Sequence, residues 1–140
     1  VDRPDYAALA EAAIAARSLA YAPYSRFQVG AALLTASGRV FPGGNIENAA
    51  YPMTVCAERV ALFSAYAAGE REFVALAVAT DTDDVASPCG ACRQVIFELA
   101  PRAAVLLLNL RGQRRLSSAA ELLPHGFGPA QLDEADRGAR

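Results

Sequence analysis

Phe73-Val74-Ala75-Leu76-Ala77-Val78-Ala79-Thr80 decides the fold, because this unbroken apolar run of strand length reads as a buried β-strand. Downstream, Ser87 is a candidate N-cap and Pro88 a candidate first helical residue for a helix running to Leu99. Val105 to Leu110 is a second buried strand, and a shorter one follows near Arg114 to Leu116. Upstream, Thr54 is the expected N-cap of a helix with Val60, Phe63 and Ala67 in its core stripe, ended by Gly69. Before it come a polar loop, Gly43 to Asn48, and two β-prone runs, Phe27 to Thr35 and Arg39 to Phe41. Ala36-Ser37-Gly38 joins these runs as a hairpin. The chain starts with an amphipathic helix over Asp5 to Ala20, whose apolar positions are Tyr6, Leu9, Ala13, Ala16 and Ala20. This order predicts an α/β fold, a mixed sheet covered by helices on both faces. With no repeat and no linker, residues 1–140 are expected to form a single domain, with a frayed tail after about Pro129.

The composition, 54% hydrophobic and 20% charged over 140 residues, fits one compact domain with a real core. A net charge of −2 with pI ≈ 5.4 gives no basic footprint for a nucleic-acid partner. The one basic cluster, Arg111-Gly112-Gln113-Arg114-Arg115, reads as an exposed hairpin turn. All 13 basic residues are arginines, which excludes Schiff-base lysine chemistry and the phosphate-gripping lysine of P-loop enzymes. No apolar run approaches the roughly 18 residues of a membrane span. Val1-Asp2-Arg3-Pro4-Asp5 lacks the features of a secretory leader, so the expectation is a cytoplasmic protein without a membrane partner. Three cysteines cannot form a closed disulfide framework and fit reduced thiols or metal ligands better.

Cys89 and Cys92 are three residues apart on a predicted helix start, so both thiols project from one face. Cys56 lies near another predicted helix start, and two helix N-termini can meet at one point. Each brings partial positive charge that favours thiolates, which zinc accepts readily as ligands. A structural zinc site closes with four protein ligands. Here there are three cysteines and a distant His125, read as an exposed loop residue, so the fourth position is expected to be open to water. Glu58, two residues after Cys56, should lie beside the metal without ligating it, placed to carry protons. Arg59 is a candidate to offset the sulfur charge, with a plain surface arginine as the equal alternative.

Cys56-Ala57-Glu58-Arg59 with Pro88-Cys89-Gly90-Ala91-Cys92-Arg93-Gln94 resembles the zinc-deaminase signature, with Cys56 in place of the His of the commoner form. Phe27-Gln28-Val29-Gly30-Ala31-Ala32-Leu33, Asn45-Ile46-Glu47-Asn48-Ala49-Ala50-Tyr51-Pro52, Glu121-Leu122-Leu123-Pro124 and Phe127 extend the likeness over most of the chain. The sequence is thereby identified as similar to the small, homotetrameric cytidine deaminase family. That resemblance implies a three-layer α/β/α cytidine-deaminase-like fold with a mixed five-stranded sheet. It implies one zinc ion per subunit on Cys56, Cys89 and Cys92, with Glu58 as proton shuttle. The implied reaction is deamination of cytidine and deoxycytidine in pyrimidine salvage.

By the same resemblance, Asn45 and Glu47 grip the ribose hydroxyls, the backbone near Ala57 holds the pyrimidine, and Phe27 lines the base pocket. Ala49, Tyr51 and Phe127 reach a neighbouring subunit's site in a homotetramer. From the residues alone, Phe27 at a strand start reads better as core, and a plain turn-shaping role is reasonable for Asn45 but not for Glu47. Three rivals remain at this level: a deaminase acting on a nucleoside antibiotic or on a base within nucleic acid, a structural zinc module, and a thiol redox protein. The Asn45 to Asn48 segment and the acidic pI favour a free nucleoside.

Overall fold

The structure, a computed structural model, describes residues 4–138. Five strands form one mixed sheet in the order β2-β1-β3-β4-β5, with β1 Gly30–Thr35, β2 Val40–Gly44, β3 Phe73–Thr80, β4 Ala104–Asn109 and β5 Arg114–Ser118. Only β3 and β4 run parallel, with Thr80 level with Asn109, and the other pairings are antiparallel. The hairpin between β1 and β2 turns at Gly38, φ 91°, and that between β4 and β5 at Gly112, φ 86°; both are left-handed conformations that favour glycine.

Helices cover both faces. On one lies α1, Tyr6–Ala16, capped by Asp5 through a 3.0 Å bond to the Ala8 amide. Its Leu9, Ala10 and Ala13 pack on Ala32, Ala75, Ala77 and Ala79 with Leu106 and Leu108. The other face carries α2 (Ala57–Ala67), α3 (Gly90–Leu99) and the single turn α4 (Ala119–Leu122) over Leu33, Leu76, Val78, Val105 and Leu107. Along β3 small side chains therefore face α1, while Leu76 and Val78 face α2 and α3, as strand alternation requires.

Several sequence expectations shift. The first helix ends at Ala16 and tightens into a 3₁₀ turn, Arg17–Leu19, and β1 starts at Gly30 rather than Phe27. Thr54 does not cap α2, whose N-cap is Cys56, and Ser87 does not cap α3, whose N-cap is Cys89. The tail expected to fray forms the helix α5, Pro129–Gly138.

The buried stripe of α2 is Ala57, Glu58, Ala61, Leu62 and Ala65, while Phe63 and Ala67 are exposed. Its sequence is apolar nearly all round, so periodicity offers two stripes, and the sheet selects the one with small residues. A Cβ on Gly43 of β2 would sit 2.5 Å from the Ala57 carbonyl oxygen and 2.7 Å from the Ala61 amide, so α2 lies almost on the β2 backbone.

Gly43→Ala should therefore force α2 away from the sheet and destabilise the protein by about 3 kcal/mol or more, against a typical overpacking cost of 1–3. Denaturant unfolding measures this, and a loss below about 0.5 kcal/mol would show that α2 does not depend on the close approach.

Candidate functional site

The first turns of α2 and α3 meet at three sulfurs. Cys56 and Cys89 are the N-caps of these helices, and Cys92 lies in the first turn of α3. Cys56 Sγ and Cys89 Sγ are 3.7 Å apart, and all three sulfurs lie within 4.8 Å of one another. No disulfide links them. With Zn–S bonds near 2.3 Å, tetrahedral ligands stand about 3.8 Å apart, so the separation of Cys56 and Cys89 suits one zinc ion. The donor set suits it as well, since three thiols are soft ligands at helix N-termini that stabilise their anions. Cys89 Sγ also accepts from the Cys92 amide at 3.5 Å. His125 is exposed and not part of the group.

Electrostatics separates the sulfurs. The hydrogen bond from Cys92 pulls the Cys56 thiol down to about 5 against its burial, with Arg59 and Cys89 adding to the pull. The ionised Cys56, with burial, pushes Cys92 up. Arg59 Nη2 stands 3.6 Å from Cys56 Sγ, while its buried Nε has no hydrogen-bond partner. A cation held in this way is placed to offset an anionic sulfur cluster.

Glu58 moves in the opposite direction. It is 4% exposed, and burial raises its carboxyl to about 7, assisted by the Cys56 charge and opposed by its own backbone amide, Cys92 and Arg59. A carboxyl that exchanges protons near neutral pH suits general acid and base work.

A cavity of about 270 Å³ opens onto this cluster. Cys56, Ala57, Glu58 and Cys89 line it together with Val78, Thr80, Ala86 and Ser87 and with Phe27, Val29, Asn45, Glu47, Ser25 and Thr54. A larger crevice, about 520 Å³ around Tyr66, Arg71 and Pro101, holds none of the cysteines and is not where the chemistry is grouped.

Phe27 is 41% exposed in the cavity wall and is not core, since the chain passes it before β1 enters the sheet. Asn45 is buried, with Oδ1 accepting from the Val29 amide and Nδ2 donating to the Phe27 carbonyl, both at 2.9 Å. Glu47 also shapes its loop, accepting at Oε1 from the amides of Tyr24, 2.9 Å, and Ser25, 3.1 Å, and at Oε2 from the Ser25 hydroxyl. The Ser25 hydroxyl, then burial in the opposing sense, then the two amides set its net shift, and its carboxyl lies below the usual range.

Ala49, Tyr51 and Phe127 are exposed and outside this cavity. Tyr51 packs edge-on against Tyr24 at 5.8 Å, and the Phe127 carbonyl accepts from Gln94 Nε2 at 2.8 Å. Ser25 and Thr80 line the cavity without having been singled out in the sequence, where nothing separates them from other small polar residues.

Residues 4–108 match the family described as the cytidine and deoxycytidylate deaminase zinc-binding region. The cytidine deaminase of Halalkalibacterium halodurans is 53% identical over 127 residues, covering 90% of this chain and 96% of that protein. The Mycobacterium tuberculosis cytidine deaminase is 40% identical, covering 86% of each. Among solved structures, a cytidine deaminase from Burkholderia pseudomallei superposes with TM-score 0.86 at 55% identity, covering 89% of this chain and 100% of that one.

The folded-state pKa of Glu58, about 7, lies above the ordinary 4.5, so its ionisation weakens the metal-free fold. That loss grows as pH rises from about 4.5 and is complete above about 7. Metal-free Glu58→Gln should thus melt several degrees above metal-free wild type at pH 8 and show no such gain near pH 4.5. Thermal melts with a chelator present test this, and an equal difference at both pH values would contradict it.

Proposed function

The chain belongs to the zinc-binding cytidine and deoxycytidylate deaminase family, and from that premise we propose that it hydrolyses cytidine and deoxycytidine to uridine and deoxyuridine with release of ammonia. The observation that carries this reading is the buried Glu58, its carboxyl raised to about 7 by burial, beside three clustered thiols on a cavity sized for a small molecule. Cys56, Cys89 and Cys92 would hold one zinc ion. When bound, zinc supplies a Lewis acid that makes a water ligand acidic enough to attack near neutral pH.

Glu58 takes the proton of the attacking water and delivers it to N3 of the cytosine ring as C4 is attacked, so no ring anion is left unshared. It then passes the remaining hydroxyl proton to the amino group, which leaves as ammonia. Such positioned proton transfer contributes about 10²–10⁴-fold. The backbone at Ala57 and the carbonyl of Ser87, both at the cavity wall, are the partners assigned to the ring and to the departing amine.

Asn45 and Glu47 are assigned to the ribose. Asn45 spends one lone pair of Oδ1 and one N–H of Nδ2 on Val29 and Phe27 and keeps one of each, while Glu47, with three acceptor sites used, keeps capacity on Oε2 for a hydroxyl.

A homotetramer with shared active sites, and a cytoplasmic location, are part of this reading. Ile46, Met53 and Phe63 are exposed around an apolar groove of about 410 Å³ on α2, a surface suited to burial against another copy. Ala49, Tyr51 and Phe127 then reach a neighbour's cavity. Free thiols suit a reducing compartment.

Glu58→Ala should retain zinc and lose about 10²–10⁴-fold in kcat for cytidine, read by the fall in ultraviolet absorbance and by ammonia release. Cys56→Ala, Cys89→Ala and Cys92→Ala should each lose zinc, and a variant with full metal content would remove that cysteine from the ligand set. Phe63→Glu should reduce the particle mass in light scattering together with turnover; a wild-type protein that is already monomeric and fully active would reject the tetramer.

A further inference from the structure

We propose that Asn109 is a positioning residue for the segment Ala86 to Cys89, an inference that rests on the reading of Cys89 as a metal ligand. Asn109 ends β4, is 2% exposed, and does not line the cavity. A buried amide is costly unless its hydrogen bonds are made, and this one has five partners, three of them sharing its two N–H groups. Its Oδ1 accepts from the amides of Arg111 and Gln113, both at 3.0 Å, and so closes the turn between β4 and β5. The Nδ2 group points the other way, to the carbonyls of Thr82 at 3.0 Å and Asp83 at 3.2 Å, and to Gln113 Oε1 at 2.6 Å.

Thr82 and Asp83 belong to the connection from β3 to α3, which is neither helix nor strand from Asp81 to Cys89. This connection forms the cavity wall at Ala86 and Ser87 and delivers Cys89 to the sulfur cluster. Near its far end Arg93 Nε holds the Pro88 carbonyl at 2.8 Å. At its near end the Thr82 hydroxyl is 2.8 Å from that of Thr80, itself in the cavity wall, and also meets the Asp84 carbonyl. Arg111 Nη1 adds a 2.7 Å bond to the Thr82 carbonyl from the exposed side. The connection is thus held at both ends, and at the end near β3 the buried hold is Asn109. Parallel pairing sets Asn109 level with Thr80, one strand away from the cavity, where its amide reaches the loop leaving β3.

The two halves of the amide allow a test. Asn109→Asp keeps the acceptor that closes the turn and loses the donor that holds Thr82 and Asp83. Zinc-loaded proteins are mixed with an excess of a chromophoric chelator, and zinc loss, kcat/KM for cytidine and the melting temperature are measured. Leu9→Ala in α1, on the opposite face of the sheet, serves as a control for general destabilisation. Asn109→Asp should lose zinc and kcat/KM by about 10-fold relative to wild type, while Leu9→Ala lowers the melting temperature and leaves the zinc rate unchanged. Zinc loss from Asn109→Asp within 2-fold of wild type, or equally fast from Leu9→Ala, would overturn the proposal. Should Asn109→Asp not fold, Arg111→Gln removes the outer bond to Thr82 together with the exposed ion pairs to Asp81 and Asp83 on the same connection, and should speed zinc loss about 3-fold, with parity overturning the proposal. Failure of the underlying ligand reading is distinguishable, since Cys89→Ala would then retain zinc.

Discussion

Three sulfurs can serve one ion only if two helix N-termini end at one point, and the sheet underneath determines whether they do. β2 contributes Gly43, whose missing side chain lets Ala57 and Ala61 of α2 rest on the strand backbone. That contact fixes the rotation and height of α2, and with them Cys56 at its N-cap and Glu58 on its buried side. α3 crosses the same face of the sheet and presents Cys89 and Cys92 from its own first turn. The cavity, the charge of the cluster and the raised Glu58 carboxyl all follow from this meeting of helix ends.

Adjacent acids in the site are pushed in opposite directions. Cys56 is ionised readily because a neighbouring thiol and Arg59 share its charge, whereas Glu58 two residues away is deprived of solvent and sees that same negative sulfur. Divergence of this kind assigns roles: the sulfur is suited to bind a cation, and the carboxyl to exchange protons. Neither property belongs to the residue type alone. Both come from placing a helix start, where an anion is welcome, next to a packed helix face, where one is not.

The strands buried on both faces were legible in the sequence almost to the residue, because continuous apolar runs such as Phe73–Thr80 have no competing reading. The cysteine and glutamate spacing was equally legible. The α2 stripe was not, since Ala57, Ala61 and Ala65 and the alternative Val60, Phe63 and Ala67 share one period, and only the sheet distinguishes them. The caps were misread for a related reason. Ser and Thr are the ordinary N-caps, but sulfur occupies these positions here, and Thr54 instead ties the preceding loop by accepting from the Asn48 amide at 3.2 Å. The hold of Asn109 on the connection gave no sequence signal, because its partners there lie 26 and 27 residues away and are backbone carbonyls.

The misread stripe also bears on the assembly. Phe63 is 46% exposed, Met53 63% and Tyr51 70%, costs that an isolated domain of this size has no evident reason to accept. Phe63 and Met53 line a groove against Ile46, within a few residues of the Asn45 and Glu47 loop that closes the cavity. A second copy seated there would bury apolar surface and press on that loop in the same event. Under the proposed tetramer, association and completion of the site are therefore one process. In that proposed assembly Tyr51 and Phe127, which lie outside the cavity of their own chain, would face a neighbour's.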